Sequence, residues 1–325
     1  MLPQIVHLHL PFNLPVFGHE FVLYSYGLMM VLAFLATQWL AARLARSKGI
    51  DPEIFVNVAL IALISGVVGS RLSHVLENLS DYTRPDLTVW QNLGNMINIR
   101  SGGLTFYGGL ILAAPIVSAY ILWKRVPLRV GMDIVAPCLV LGLAIGRVGC
   151  FLNGCCYGAG TTLPWAVQFP FDSSAYVEQF YASNGEQLNH EVPPQLLAET
   201  PRGVRLLKPE EIKGKPELEA LAAKEKSNPV HPAQLYSTFN ALLIMAILLA
   251  YFTIPHAPGR VFAMMLMLEG PTRYLLEMLR VEPPVLGPMS LSMVIGLILF
   301  AIGVVLWFAF GTSREWRMTP AMQPA

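Results

Sequence analysis

Charge is what this 325-residue chain has least of. Only 13% of its residues are Asp, Glu, Lys or Arg, about half the usual share of about 25% in globular chains. Too few solvated side chains are present to cover two soluble domains, so that architecture is excluded. The charges nearly cancel, at net +1, which removes the electrostatic case for a nucleic-acid partner. Cysteine is also scarce: Cys138, Cys150, Cys155 and Cys156 are too few and too clustered for a secreted disulfide scaffold. Residues 1–19 hold no lysine or arginine, so no basic n-region precedes the first hydrophobic segment, which is expected to stay uncleaved. Internal repeats and low-complexity tracts are missing as well.

What fills the chain is apolar: 54% hydrophobic residues and a mean hydropathy of +0.52. A membrane-spanning helix needs about 20 such residues. That rule predicts an all-α polytopic membrane protein with about seven spans, at roughly 20–42, 53–77, 104–123, 131–151, 233–254, 259–280 and 289–311. Arg43, Arg46 and Lys48, then Lys124, Arg125 and Arg129, then Arg260, then Arg314 and Arg317 all fall on one side if the N-terminus is outside. Cytoplasmic loops collect such residues, so the N-terminus is expected outside and the C-terminus in the cytoplasm. The chain reads as one integral membrane domain, 1–325, with an extracytoplasmic head inserted at 159–231. Residues 78–103 read as polar and irregular, and the mixed charges of 202–226 suit an exposed helix or a mobile insertion.

Against that background, charges inside the spans need a reason. Arg71 sits late in the second span, with His74 nearby, and Arg147 and Asn153 lie at the end of the fourth. The sixth carries Glu269, Arg273, Glu277 and Arg280, spaced four, four and three, which keeps them on one helical face. Glu277 can pair with Arg273 on one side and Arg280 on the other. Ion pairs that only lock helices together are one reading. The other is an anion site, because guanidinium forks bind phosphate oxygens bidentately, and a lipid phosphate entering from the outer leaflet is the natural ligand. Gly142, Gly146 and Gly149, and Gly102, Gly103, Gly108 and Gly109, suit either close helix contact or backbone approach to a ligand. Cys150, Cys155 and Cys156 lack the spacing of common metal-ligand pairs and have no histidine close in sequence. No metal or cofactor is therefore expected, and the thiols read as small buried residues or an outward-facing disulfide.

Four stretches together carry a resemblance. They are Ser25-Tyr-Gly-Leu-Met29, Arg100-Ser-Gly-Gly-Leu-Thr-Phe-Tyr-Gly-Gly109, Gly146-Arg-Val-Gly-Cys-Phe-Leu-Asn-Gly-Cys-Cys-Tyr-Gly158 and Arg273-Tyr-Leu-Leu-Glu-Met-Leu-Arg280. Pro164-Trp-Ala-Val-Gln-Phe-Pro170 and His231-Pro-Ala-Gln-Leu-Tyr236 support them. The ordered set resembles the bacterial prolipoprotein diacylglyceryl transferases, over nearly the whole chain outside about 172–228.

The resemblance implies transfer of the diacylglyceryl group of phosphatidylglycerol to the lipobox cysteine thiol of a preprolipoprotein signal peptide, with glycerol 1-phosphate leaving. It implies a bacterial inner-membrane location, with the active site toward the outer face. Because the substrate brings the thiol, the chain's own cysteines need not be catalytic. Arg147 and Arg273 would neutralise the phosphate as the carbon–oxygen bond breaks. Tyr26 and Asn153 would orient the headgroup, and Tyr107 would line the thiol site. Glu277 would hold Arg273 and Arg280, while Cys150, Gly158, Gly102, Gly103 and Gly108 would bound the substrate.

Two positions depart from the pattern. Tyr107 stands where many members have a histidine proposed as base, and a phenol of pKa about 10 is a poor base at neutral pH. Cys150 and Cys155 stand where many have asparagine and glutamate. A transporter or flippase for an anionic lipid or solute is the alternative. It would call for a pathway open to each side in turn, whereas the polar groups here crowd one face.

Overall fold

The computed structural model describes residues 4–14, 18–83, 87–98, 102–103, 105–182, 192–200, 203–280 and 284–311, with backbone alone for 4–14, 18–23, 106 and 182. Helices carry the fold. In chain order they are α1 (Ser25–Ser47), α2 (Pro52–Glu77), α3 (Leu79–Tyr82), α4 (Val89–Ile97), α5 (Phe106–Trp123), α6 (Leu128–Asn153), α7 (Ser174–Ala182), α8 (Pro209–Ile212), α9 (Pro216–Lys224), α10 (Ala233–Thr253), α11 (Arg260–Glu277) and α12 (Leu291–Phe310). Three antiparallel hairpins accompany them: β1 (Gln4–Leu14) with β2 (Gly18–Tyr24), β3 (Leu197–Thr200) with β4 (Gly203–Leu206), and β5 (Pro284–Leu286) with β6 (Met289–Ser290).

Among the described residues, five helices, α1, α2, α6, α10 and α12, are long and apolar enough to cross a membrane. Their outer faces carry bare apolar side chains, among them Ile64 at 65% exposure and Phe239 at 72%. The chain is thus a mostly helical polytopic membrane protein. The other two expected spans correspond to α5, whose apolar run is shorter, and α11, which holds Arg260, Glu269, Arg273 and Glu277 within 18 residues. The first span begins at Ser25 rather than near residue 20, because β2 runs through Tyr24. An extended run such as Phe21-Val-Leu-Tyr24 scores as apolar in either conformation. The stretch 78–103, expected irregular, forms α3 and α4. Thr88 and Gln91 close a reciprocal capping box on α4, satisfying two otherwise orphaned helix-end donors. Arg100, Ser101, Leu104, Arg202, Arg314 and Arg317 lie outside the described residues.

The chain forms two compact units. One comprises Met1–Ala33, Leu139–Ala250 and Ala263–Val305, the other Phe34–Cys138, Tyr251–Phe262 and Leu306–Ala325.

In the second unit, α2 and α5 pack backbone to backbone. A Cβ on Gly69 would lie 2.5 Å from the Gly108 carbonyl oxygen, and one on Gly109 would lie 2.8 Å from that of Gly66. Small residues at this spacing let two helices approach closely in lipid, where dispersion rather than the hydrophobic effect drives association. Basic residues from chain-distant junctions stack on aromatic rings in the same unit. Lys48 lies over Phe252, Arg129 over Phe310 and Arg260 over Trp307, at 4.6, 4.4 and 4.7 Å. Buried Asp133 accepts from Gly259 N–H (2.6 Å) and Phe262 N–H (3.0 Å), capping the start of α11 from another segment of the chain.

In the first unit, the inserted head packs on the end of α6. Phe169, Ala175 and Val230 are fully buried there against Phe151, Tyr157 and Val167. Of the charged stretch expected to be an exposed helix or a mobile insertion, α9 is such a helix, with no buried residue, while the part before it is anchored. Leu206 and Ile212 are buried, and Arg205 forms a two-pronged pair with Glu211, both contacts at 2.7 Å. Spacing alone does not distinguish such a pair from two solvated charges.

Candidate active site

The site in the first unit starts from how α6 ends. Gly154 takes φ +75°, its N–H bonds to the Phe151 carbonyl (3.2 Å), and the Cys155 N–H bonds to the Cys150 carbonyl (3.1 Å). This is a Schellman cap, in which the residue after the glycine folds back onto the helix residue five positions earlier. Here those two residues are Cys155 and Cys150. Cys156 follows with φ +61°, a left-handed conformation that costs a non-glycine residue about 1–2 kcal/mol. The three Sγ atoms lie within 4.8 Å of one another, and all four cysteines are free thiols. Of the two readings, small buried residues or a disulfide, no disulfide is formed, and the three clustered thiols are only half-buried. The Cys156 thiol is held below the ordinary thiol range, first by the side chains of Cys150 and Cys155 and then by the charges of Arg147 and Arg280.

Two further segments brace this turn. Gly158 N–H bonds to the His231 carbonyl (2.9 Å) and Ala159 N–H to that of Leu279 (2.7 Å). A Cβ on Gly158 would lie 2.7 Å from both His231 Cβ and the Leu279 oxygen, so only glycine fits. Fully buried Gln234 donates from Nε2 to the Cys155 carbonyl (2.7 Å). Trp165 Nε1 donates to the Tyr236 hydroxyl (2.7 Å), joining the two supporting sequence stretches. Gln234 was not singled out by the sequence reading. Its signal was an uncharged polar residue in the first turn of an apolar helix.

Beside the turn opens a cleft of about 490 Å³, its mouth included. From α6 come Leu143 and Arg147, and from the turn Cys156. Ala233, Ser237 and Asn240 come from one face of α10, and Glu269, Arg273, Leu276 and Glu277 from α11, with Arg280 just beyond its end. Three guanidinium groups against two carboxylates leave this cleft formally cationic. Glu277 is buried, accepts from Ser290 Oγ at 3.2 Å and pairs with Arg280 at 3.5 Å. Arg273 was expected to share that carboxylate. Instead its Nη2 donates to Ser292 Oγ at 3.3 Å, and its buried Nε has no hydrogen-bond partner among the described residues. Arg147 makes no hydrogen bond within the described residues and acts electrostatically on Glu269 and Cys156. A buried donor without a partner costs about 1–3 kcal/mol, a cost an anionic ligand would remove.

Other expected site residues divide between the units. In the first, Tyr26 is 41% exposed at the start of α1, and its ring lies over Gly149, two residues along α6 from Arg147. Asn153 is the last residue of α6. In the second, Tyr107 stands partly exposed in the first turn of α5, and Gly108 packs on α2. Gly102 and Gly103 take φ +81° and +76°, and their carbonyls accept from Arg71 Nη1 at 2.7 and 3.0 Å. Arg71 also donates from Nε to the Met96 carbonyl (2.8 Å) and from Nη2 to that of Asn95 (2.8 Å). With four of its five N–H groups used on backbone, Arg71 staples a loop rather than joining the expected anion site.

Comparison with known proteins places the chain in a family. A curated phosphatidylglycerol–prolipoprotein diacylglyceryl transferase of Rhodopirellula baltica is 37% identical over 181 residues, which is 54% of this chain and 35% of that protein. Those of Corynebacterium glutamicum and Clostridium tetani are 27% and 26% identical. Both matches cover 90% of this chain, and 80% and 94% of the respective relatives. The sequence profile of the prolipoprotein diacylglyceryl transferases matches residues 15–309, and the chain belongs to that family.

Proposed function

We propose that the chain is an enzyme that moves the diacylglyceryl group from phosphatidylglycerol to a prolipoprotein, and that the acceptor is the lipobox cysteine thiol of the signal peptide. The observation that carries this reading is the cleft lined by Arg147, Arg273 and Arg280, in which the buried Nε of Arg273 has no hydrogen-bond partner among the described residues. Phosphate is the leaving side of the reaction, and fixed donors in a low-dielectric site stabilise charge that develops there. Arg147 and Arg273 take that role, Glu277 positions Arg280, and Tyr26 and Asn153 bound the headgroup. Gly158 holds the wall of the cleft. Tyr107, on the loop and helix start that Gly102, Gly103 and Gly108 shape, serves the thiol side.

The reading carries a topology. Seven spans include α5 and α11, the N-terminus is outside, and the C-terminus is cytoplasmic. The site then faces the outer side of the bacterial inner membrane beneath the 159–231 head. The stacked pairs Lys48–Phe252, Arg129–Phe310 and Arg260–Trp307 gather basic junctions as a cytoplasmic belt would.

The test is incubation of the purified protein with phosphatidylglycerol and a lipobox peptide, read by peptide mass. A diacylglyceryl increment on the cysteine is expected, with none on a Cys→Ala peptide. An unmodified peptide in a lipid-replete, folded preparation would overturn the proposal and favour a transport function.

A further inference from the structure

We propose that Cys150, Cys155 and Cys156 bind a zinc ion whose open fourth position takes the thiolate of the acceptor cysteine. This deepens the transferase reading above and rests on it.

The argument begins with geometry. Three thiols with Sγ atoms mutually within 4.8 Å need little movement to chelate. With Zn–S bonds of about 2.3 Å, tetrahedral coordination sets sulfur–sulfur distances near about 3.8 Å. The placement is built into the backbone. The Schellman cap brings Cys155 onto Cys150, and the left-handed Cys156 puts a third thiol beside them. A strained backbone at such a position is maintained by the packing around it, here the Gln234 clamp on the Cys155 carbonyl.

The donor set then selects the ion and its use. Thiolates favour a soft or borderline cation, zinc above magnesium or calcium. No described His, Asp or Glu joins the three sulfurs within the cluster, and three protein ligands with a vacant fourth position distinguish catalytic zinc from structural zinc. Zn²⁺ with three thiolates carries a formal charge of −1, which the neighbouring Arg147 and Arg280 offset. Cys156 also lines the arginine cleft, so the vacant position lies beside the lipid phosphate.

The chemistry closes. Zinc binds the three sulfurs as thiolates, and the protons they still carry pass to water. The acceptor thiol loses one more to water as it coordinates, because a metal-bound thiol is deprotonated. Its sulfur then attacks the glyceryl carbon that bears the phosphate ester. The S–C bond forms as the C–O bond breaks, and the electron pair leaves on glycerol 1-phosphate, neutralised by Arg147 and Arg273. No oxidant or reductant is needed.

The test uses the intact protein in detergent, purified without chelator or added metal. Elemental analysis is expected to find about one zinc per chain, lost in Cys155→Ser and kept in Cys138→Ala. Stripping wild-type protein with a zinc chelator is expected to cut transfer at least tenfold, restored by one equivalent of Zn²⁺. This arm does not depend on whether a cysteine variant folds. In the Co²⁺-substituted protein, a lipobox peptide is expected to shift the visible cobalt bands, and its Cys→Ser analogue is not. Active protein with less than one-tenth zinc per chain, full activity after stripping, or a disulfide among the three cysteines would overturn the inference alone. Zinc-loaded protein that leaves the peptide unmodified would overturn the transferase reading, and this inference with it.

Discussion

Arg71 and the cleft arginines look alike in the sequence and differ in where their N–H groups go. Arg71 is 6% exposed and gives four hydrogen bonds to backbone carbonyls of residues 95, 96, 102 and 103. Its charge is consumed in shaping one loop, with Tyr82 stacked 5.1 Å away. Arg273 keeps a buried Nε without a partner, and Arg147 bonds to no described residue. An arginine inside a membrane helix is therefore a binding group only to the extent that the fold leaves its fork unspent.

That contrast can be broken by substitution. The largest effect is expected for Arg147→Ala, which should lower transfer by about 10²–10³-fold, the usual cost of removing a fixed charge-stabilising donor. Its melting temperature should hold; a well-folded variant with normal rate would remove Arg147 from the phosphate site. Arg71→Ala should do the reverse. It leaves four carbonyls without their donor, so a loss of about 3 kcal/mol or more is expected, with the phosphatidylglycerol affinity of the folded fraction unchanged. Gly69→Ala sharpens the structural side. The added methyl meets the Gly108 carbonyl, and overpacking of about 1–3 kcal/mol should appear in thermal unfolding.

The smallest effect belongs to the head. The side chain of Arg205 and the backbone N–H of Lys208 hold the Glu211 carboxyl down to about 2, from an ordinary 4.5. A depressed acid contributes order that is full above its unfolded value and is lost as pH falls through its folded one. Pepsin cleavage within 203–224 should therefore rise between pH 4.5 and 2 in the wild type. Glu211→Gln should already be cut quickly at pH 4.5, with transfer at neutral pH unchanged.

The membrane class and the arginine-bearing face of α11 were legible because hydropathy and a spacing of four, four and three are local signals. The partners of Arg71 were not, since its acceptors lie 24 to 32 residues away, in the last turn of α4 and at Gly102 and Gly103, and are carbonyls every residue possesses. Nor was the division of labour around Glu277. Spacing allows both Arg273 and Arg280, and the hairpin that brings in Ser290 and the helix that brings in Ser292 decide between them. The thiol cluster was legible in principle. Cysteine, three residues, glycine, cysteine reads as a capped helix end that places two thiols side by side, but only once the glycine is taken as a cap rather than a spacer. The β1–β2 hairpin was hidden because apolar extended and helical residues look the same to a hydropathy sum.

The most direct measurement is equilibrium binding of phosphatidylglycerol to wild type, Arg147→Ala and Arg71→Ala, each corrected for folded fraction. The account predicts at least tenfold weaker binding in Arg147→Ala and wild-type affinity in folded Arg71→Ala. Equal affinities in all three, or equal losses in both variants, would contradict it.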